Sequence, residues 1–135
     1  MKKLFLLLSA TLLFSCSNSK KSSAEHFIRS IEYVNEAHKI SNVGNDSYLE
    51  YSELEDMVRL KQKALHEARK VNISSLNKRF QGFGDSYEDL FIKGLILYIE
   101  GIEDENQSKL MKGQLLLDKW GDWYSSNINR IRQGN

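Results

Sequence analysis

Hydrophobic residues recur along this chain at the three- and four-residue spacing of an α-helix. Apolar positions separated by three, four and seven residues form one face of a segment that starts near residue 51, although Lys61 interrupts that face. A second stripe of the same kind lies closer to the N terminus. The two stripes are Tyr51, Leu54, Val58, Leu65 and Ala68, and Phe27, Ile31 and Val34. Since no stretch alternates with the two-residue period of a strand, the pattern predicts an all-α fold.

Three short polar patterns predict where helices begin. In each, a Ser or Asp is followed three residues later by Glu, and an apolar stripe follows. The Ser or Asp oxygen can accept a hydrogen bond from a first-turn amide, while the Glu reaches back to the cap amide. These pairs predict helix starts near residues 23, 48 and 86. The pairs are Ser22 with Glu25, Ser47 with Glu50, and Asp85 with Glu88.

The second helix is expected to end near Val71, because the apolar stripe changes phase there. The apolar residues that follow are again spaced by three and four, but one residue out of register with the preceding stripe. Either the helix continues with a kink, or a short separate helix starts within Asn72 to Ser75. We expect the separate helix, since Asn and Ser are unfavourable in helix interiors.

The third segment, from about residue 86 to Ile102, is apolar in every direction around a helical turn. A helix of this kind is buried in a core or an interface. Gly94 and Gly101 are two turns apart on one face and would let another backbone approach closely. A fourth amphipathic helix follows the acidic stretch at residues 103–106. We therefore predict an antiparallel bundle of about four helices, forming a single domain over residues 24–135.

The N terminus has the order of a secretory signal. Lys2 and Lys3 are followed by twelve uncharged apolar or small residues, and the only cysteine, Cys16, comes next. The apolar run is shorter than the ~20 residues that a membrane-spanning helix needs. Leu13 and Ser15 before the cysteine resemble the lipobox of bacterial lipoproteins, although Phe14 differs from the small residue usual between them.

The resemblance to bacterial lipoproteins covers only the first 20 residues or so. It implies that residues 1–15 are a signal peptide that is removed, and that Cys16 carries a diacylglyceryl group and becomes the N terminus. Residues 16–23 would then be a lipidated cysteine with a polar tether. We expect the mature protein in the bacterial cell envelope, at the outer rather than the inner membrane. An ordinary signal peptide cut elsewhere, or an intermolecular disulfide at Cys16, are the alternatives.

Charge and motif content exclude several functions. Without Lys2 and Lys3, the mature chain has 17 basic and 18 acidic side chains, so it lacks the basic excess of a nucleic-acid-binding protein. None of His26, His38 and His66 belongs to a Glu-x-x-His metal motif. We therefore expect no metal, no cofactor and no enzymatic activity, and we expect His38 to lie at the edge of the core.

Trp120, Trp123 and Tyr124 form the densest aromatic group of the sequence. Such a group on a helix usually packs inward, but it can also form a binding surface. Trp123 lies about 60° from the stripe that Trp120 and Tyr124 share with Leu117, so it is the best candidate for exposure. The sequence thus predicts a lipid-anchored helical module that binds another envelope protein. The alternative is a carrier or sensor that holds a small apolar ligand between its helices.

Overall fold

The computed structural model describes residues 21–42 and 51–133, and over these ranges the protein is an all-α helical bundle, as predicted. Cys16, most of the tether and the Ser47–Glu50 pair lie outside the described residues. The helices are α1 (Ser23–Asn42), α2 (Tyr51–Ala68), α3 (Ile73–Arg79), α4 (Phe83–Ser86), α5 (Lys93–Glu103) and α6 (Gln107–Gln133), and a π-helical segment at Tyr87–Ile92 joins α4 to α5.

The start of α1 is the capping box that the sequence predicts. The backbone amide of Glu25 donates to the Ser22 hydroxyl oxygen at 3.2 Å, and the Ser22 amide donates to the Glu25 carboxylate at 2.7 Å. Ser22 and Glu25 are three residues apart, so the start of α1 depends on local sequence alone.

The break after α2 is also confirmed. Asn72 caps the separate helix α3, because its side-chain oxygen accepts a hydrogen bond from the Ser75 amide at 2.9 Å. The Asn72 amide in turn donates to the Ser23 hydroxyl oxygen at 2.7 Å. The start of α3 is therefore attached to the start of α1, at one end of the bundle.

The predicted helix start near residue 86 is wrong. The helical run begins at Phe83, directly after Gly82, whose φ of +80° places it in the left-handed region. The start of α4 is capped by α3, because the side-chain oxygen of Asn77 accepts a hydrogen bond from the Gly84 backbone amide at 2.7 Å. Asp85 does not cap the helix, since its carboxylate accepts from the Asn77 side-chain amide at 2.8 Å.

The helical run continues from α4 through the π-helical segment into α5 without interruption. Tyr87 and Phe91 from this segment are both buried, and their rings stack with centroids 5.0 Å apart. A π-helical turn accommodates an extra residue and shifts the phase of the side chains that follow. Because apolar residues lie on every side of the helix between Leu90 and Ile102, the sequence pattern does not reveal this phase shift.

Helices α5 and α6 pack with their backbones in close approach. A Cβ atom on Gly101 would meet the backbone of Leu110, and one on Gly113 would meet the backbone of Tyr98. Gly94 faces α6 as well, and a Cβ atom added to it would lie 3.0 Å from the Leu117 side chain. The predicted role of the two α5 glycines is confirmed, and α6 contributes a third.

The core lies between α1, α2, the α4–α5 run and α6. Helices α1 and α2 form an antiparallel pair, and α5 contacts both α2 and α6. The prediction that the third segment is buried among several helices is therefore confirmed. The most deeply buried apolar side chains of the described residues are Ala37, Ala64, Ala68, Phe83, Tyr87, Phe91 and Leu95.

The burial of α5 predicts a large difference between two identical substitutions. Leu95 is 0% exposed, whereas Leu115 on α6 is 53% exposed. Leu95→Ala should lower the free energy of unfolding by about 2–5 kcal/mol, because it leaves a cavity in a packed core. Leu115→Ala should change it by about 0.5 kcal/mol or less. Urea unfolding followed by circular dichroism measures both, and equal midpoints for the two variants would contradict the assignment of α5 to the core.

Candidate functional site

The three aromatic residues singled out in the sequence pack together on α6. Trp120 is 4% exposed, and its ring lies 5.6 Å from that of Trp123 and 5.4 Å from that of Tyr124, measured between centroids. Trp123 and Tyr124 are partly buried. Trp120 is thus a core residue, and a role of Trp123 in binding a partner stays a prediction.

Aromatic residues from three other elements complete this cluster. Phe27 of α1 lies 5.3 Å from Phe83 and 5.1 Å from Tyr87 between ring centroids. Phe80 lies 6.2 Å from Trp123. The favourable geometry of such ring pairs adds to the stability that burial alone provides. The cluster therefore holds α1, α4 and α6 together, which accounts for the aromatic density without any ligand.

One buried hydrogen-bonded chain lies beside the aromatic cluster. The Ser30 hydroxyl donates to the Phe27 carbonyl oxygen at 2.6 Å, so the Tyr87 hydroxyl is the donor to Ser30 at 2.7 Å. Burial raises the pKa of Tyr87 well above its ordinary value. The Tyr87 phenol is fully enclosed and keeps its proton. Its hydrogen bond to Ser30 holds α1 against the π-helical segment.

The interior also contains a lysine that the sequence marks only as an interruption. Lys61 of α2 is 1% exposed, and its ammonium nitrogen lies 3.3 Å from the centre of the Tyr98 ring. Burial lowers the pKa of Lys61 from its ordinary 10.5 to about 8, although the Asp118 carboxylate opposes the shift. Cation–π attraction by Tyr98 offsets part of the cost of burying this charge.

His38 of α1 lies near the same charges. Burial lowers the pKa of its imidazole, the positive charge of Lys61 lowers it further, and Asp118 raises it. The histidine is partly buried, as expected for the core edge. Four helices thus contribute one ionisable side chain each to this region. With Lys61 almost completely enclosed, however, its amine has no open path to a substrate.

A histidine–carboxylate pair joins α1 to the end of α2. His26 Nδ1 lies 2.6 Å from Glu67, whose side chain is 9% exposed, and the Lys70 ammonium lies 3.6 Å from the other carboxylate oxygen. The hydrogen bond with His26 lowers the pKa of Glu67, while burial opposes that effect. Glu67 also borders a shallow depression of about 390 Å³ between α1 and α2. Within residues 21–42 and 51–133, no three His, Cys, Asp or Glu side chains are close enough to bind a metal ion.

The most exposed apolar surface on α6 is not among the residues that the sequence pattern singles out. Met111 is 65% exposed and Leu115, one turn later, is 53% exposed. They lie in a shallow groove of about 750 Å³ whose polar margins include Lys112, Gln114 and Asp118. We call Met111 and Leu115 the outer strip. Their four-residue spacing on the face opposite Gly113 is the signal that could have identified them.

Within residues 21–42 and 51–133, no helix combines the length and the hydropathy needed to cross a lipid bilayer. No family model, curated protein or solved structure matches the chain.

Burial of Lys61 predicts an unusual dependence of stability on pH. Between pH 8 and 10.5 the unfolded chain keeps a proton that folded Lys61 releases, so the free energy of unfolding should rise with pH across this window. The difference between the pKa of Lys61 in the unfolded chain and in the folded protein corresponds to about 3 kcal/mol in the free energy of unfolding. Lys61→Met should therefore be more stable than wild type at pH 7, and the difference should shrink as the pH rises.

Urea unfolding of wild type and Lys61→Met between pH 7 and about 9.5 tests this pH dependence. The upper limit keeps the measurement below the pH at which tyrosines of the unfolded chain ionise. Lys93→Met, at an exposed position of α5, is the matched control. If wild type and Lys61→Met differ equally at every pH, Lys61 carries its charge without cost in the folded protein and the burial argument is wrong.

Proposed function

We propose that the protein is a lipid-anchored protein of the bacterial cell envelope, at the outer rather than the inner membrane, whose helical domain binds another envelope protein. The basic, apolar and small residues that end at Cys16 support the anchor. A diacylglyceryl group with a further acyl chain holds a protein stably on a membrane, since each buried methylene contributes about 0.8 kcal/mol.

The outer strip supports binding to a protein. Met111 and Leu115 are the large apolar side chains that α6 exposes, on consecutive turns and with polar margins, and a partner that covered them would remove apolar surface from water. Lys112 and Asp118 at the margins carry opposite charges, as the rim of an interface commonly does. The partner would present an apolar helix face or loop to α6.

The alternative of an apolar ligand held between helices has less support. A carrier would need a cavity lined by the apolar α5, but one depression described above borders α1 and α2 and the other borders α6. The α5 run is instead filled by protein side chains, with Phe91 1% exposed and Leu95 0% exposed. A non-catalytic role fits the enclosure of Lys61 and Tyr87, whose pKa values are the most strongly shifted.

Lipidation predicts that the thiol of Cys16 decides the location of the protein. Cys16→Ser should abolish labelling by a radioactive fatty acid and release the protein from the membrane fraction, because the hydroxyl does not accept the diacylglyceryl group. Ser19→Ala, three residues further along the tether, is the matched control and should remain labelled. Membrane-bound, unlabelled wild type would rule out the lipid anchor.

Partner binding predicts a position-dependent crosslink in intact cells. A photo-reactive amino acid at position 115 should give a discrete adduct, identified by mass spectrometry, whereas one at the exposed Lys93 should not. Met111→Glu, on the same strip, should weaken the adduct from position 115 without changing the urea midpoint, since this side chain is 65% exposed.

A third photo-reactive substitution, at Trp123, separates the two candidate surfaces. An adduct from position 123 with none from position 115 would assign partner binding to the aromatic cluster and remove it from the outer strip.

A further inference from the structure

Basic side chains gather at the end of the bundle where the tether joins it. Several contacts fix this end: the Arg79 side chain donates to the Ile131 carbonyl oxygen at 3.1 Å, and the Arg130 guanidinium lies 4.9 Å from the centre of the Phe80 ring. The hydrogen bond between Asn72 and Ser23 attaches the start of α1 to the same end of the bundle. We call the following six residues the basic end: Lys21, Lys70, Lys78, Arg79, Arg130 and Arg132.

The charge of the described bundle is divided between its two ends. Residues 21–30, 66–85 and 122–133, which form the end with the tether, contain eight basic and four acidic side chains. The rest of the described chain contains eight basic and twelve acidic side chains. A protein with equal numbers of both signs in its described residues thus has an excess of basic side chains at the end with the tether, which is followed along the chain by the exposed Glu88 and Asp89.

The acidic residues at the tether end engage neighbouring groups. Glu67 is almost fully buried between His26 and Lys70. Glu25 accepts from the Ser22 amide, and Asp85 accepts from the Asn77 side chain. Lys78 and Arg132, in contrast, are exposed.

Helix dipoles account for only part of this arrangement. Helices α2, α3 and α6 all end here, and each C terminus carries about half a negative charge that basic residues in the last turn stabilise. Three N termini, those of α1, α3 and α4, lie at the same end, so the partial charges of the helix termini largely cancel. A net positive surface remains.

The position of the tether indicates what this surface faces. Residues 16 to 23 span at most about 25 Å when fully extended. A bundle attached through Cys16 is thus held with its basic end close to the headgroups of the bilayer. Electrostatic attraction acts over a Debye length of about 8–10 Å, which this tether allows the basic end to reach.

We propose that the basic end binds the phosphates of anionic lipid headgroups and so orients the bundle upright on the membrane. The outer strip then lies roughly 24 Å from the bilayer end along α6, because Leu115 precedes Ile131 by 16 residues of continuous helix. The orientation rests on the proposed lipid anchor, but attraction between the basic end and anionic lipid does not.

Vesicle sedimentation of an unlipidated chain tests the proposal. A chain starting at Ser17 keeps every buried side chain of the described structure, since these lie between Phe27 and Ile131. It should sediment with vesicles of phosphatidylcholine and phosphatidylglycerol, but not with phosphatidylcholine alone, and added salt should release it. Each basic residue near an anionic surface contributes about a five-fold gain in binding.

Matched charge reversals locate the surface. Lys78→Glu combined with Arg132→Glu should weaken binding at least about ten-fold, given the gain per charge. Lys112→Glu combined with Lys119→Glu makes the same change in net charge on the other half of α6 and should leave binding within about two-fold. Equal losses in both double variants, or no binding of the wild-type chain to anionic vesicles, would overturn the proposal.

A soluble competitor separates lipid binding from general attraction to polyanions. Single-stranded DNA at the same phosphate concentration should displace less protein than additional anionic vesicles do. Equal displacement would assign the basic end to polyanions in general and overturn the lipid assignment. Because the protein in this assay carries no acyl chain, its outcome is independent of whether Cys16 is lipidated in cells.

Discussion

The close contact between α5 and α6 is the constraint on which the rest of the structure depends. Gly101 and Gly113 place each helix directly on the backbone of the other, a separation that any side chain at these positions would increase. At this distance Tyr98 of α5 and Leu117 of α6 both reach the core. Each glycine costs about 1 kcal/mol of helix propensity relative to alanine. Dispersion attraction along the whole interface between the two helices compensates that cost.

The same close approach fixes the environment of Lys61. Because Tyr98 is held against α6, its ring face is available to the lysine ammonium, and Asp118 comes near enough to influence both Lys61 and His38. A buried lysine with a depressed pKa reduces stability at neutral pH.

The sequence predicted those features whose causes are local. The Ser22–Glu25 capping box involves residues three apart, and the separate helix that starts within Asn72 to Ser75 is marked by a phase change of the apolar stripe, so a pattern in the chain is enough to identify both. The predicted cap at Asp85 was wrong because Asn77, eight residues away, caps α4 instead. The π-helical segment could not be predicted from the sequence either, since the apolar residues around it lie on every side of the helix and their spacing does not mark a phase shift.

In the candidate site, too, features with local causes could be predicted and those that depend on distant contacts could not. Trp120 was correctly expected to pack inward, because its stripe is regular. The burial of Lys61 could not be predicted, since it depends on an aromatic face brought from α5. The outer strip was overlooked because Met111 and Leu115 are two ordinary apolar residues among many, and only the position of α5 shows which face of α6 is left uncovered.

Polarity along the bundle axis connects the two proposed surfaces. Three helices end, and the tether begins, at the positive end of the bundle, whereas the excess of acidic residues lies in the other half. A lipid anchor alone restricts distance from the membrane but leaves the domain free to rotate. On the proposed lipid anchor, charge attraction at one end would restrict that freedom and would keep the outer strip clear of the bilayer. A partner would then meet the strip in one orientation, which lowers the entropic cost of binding.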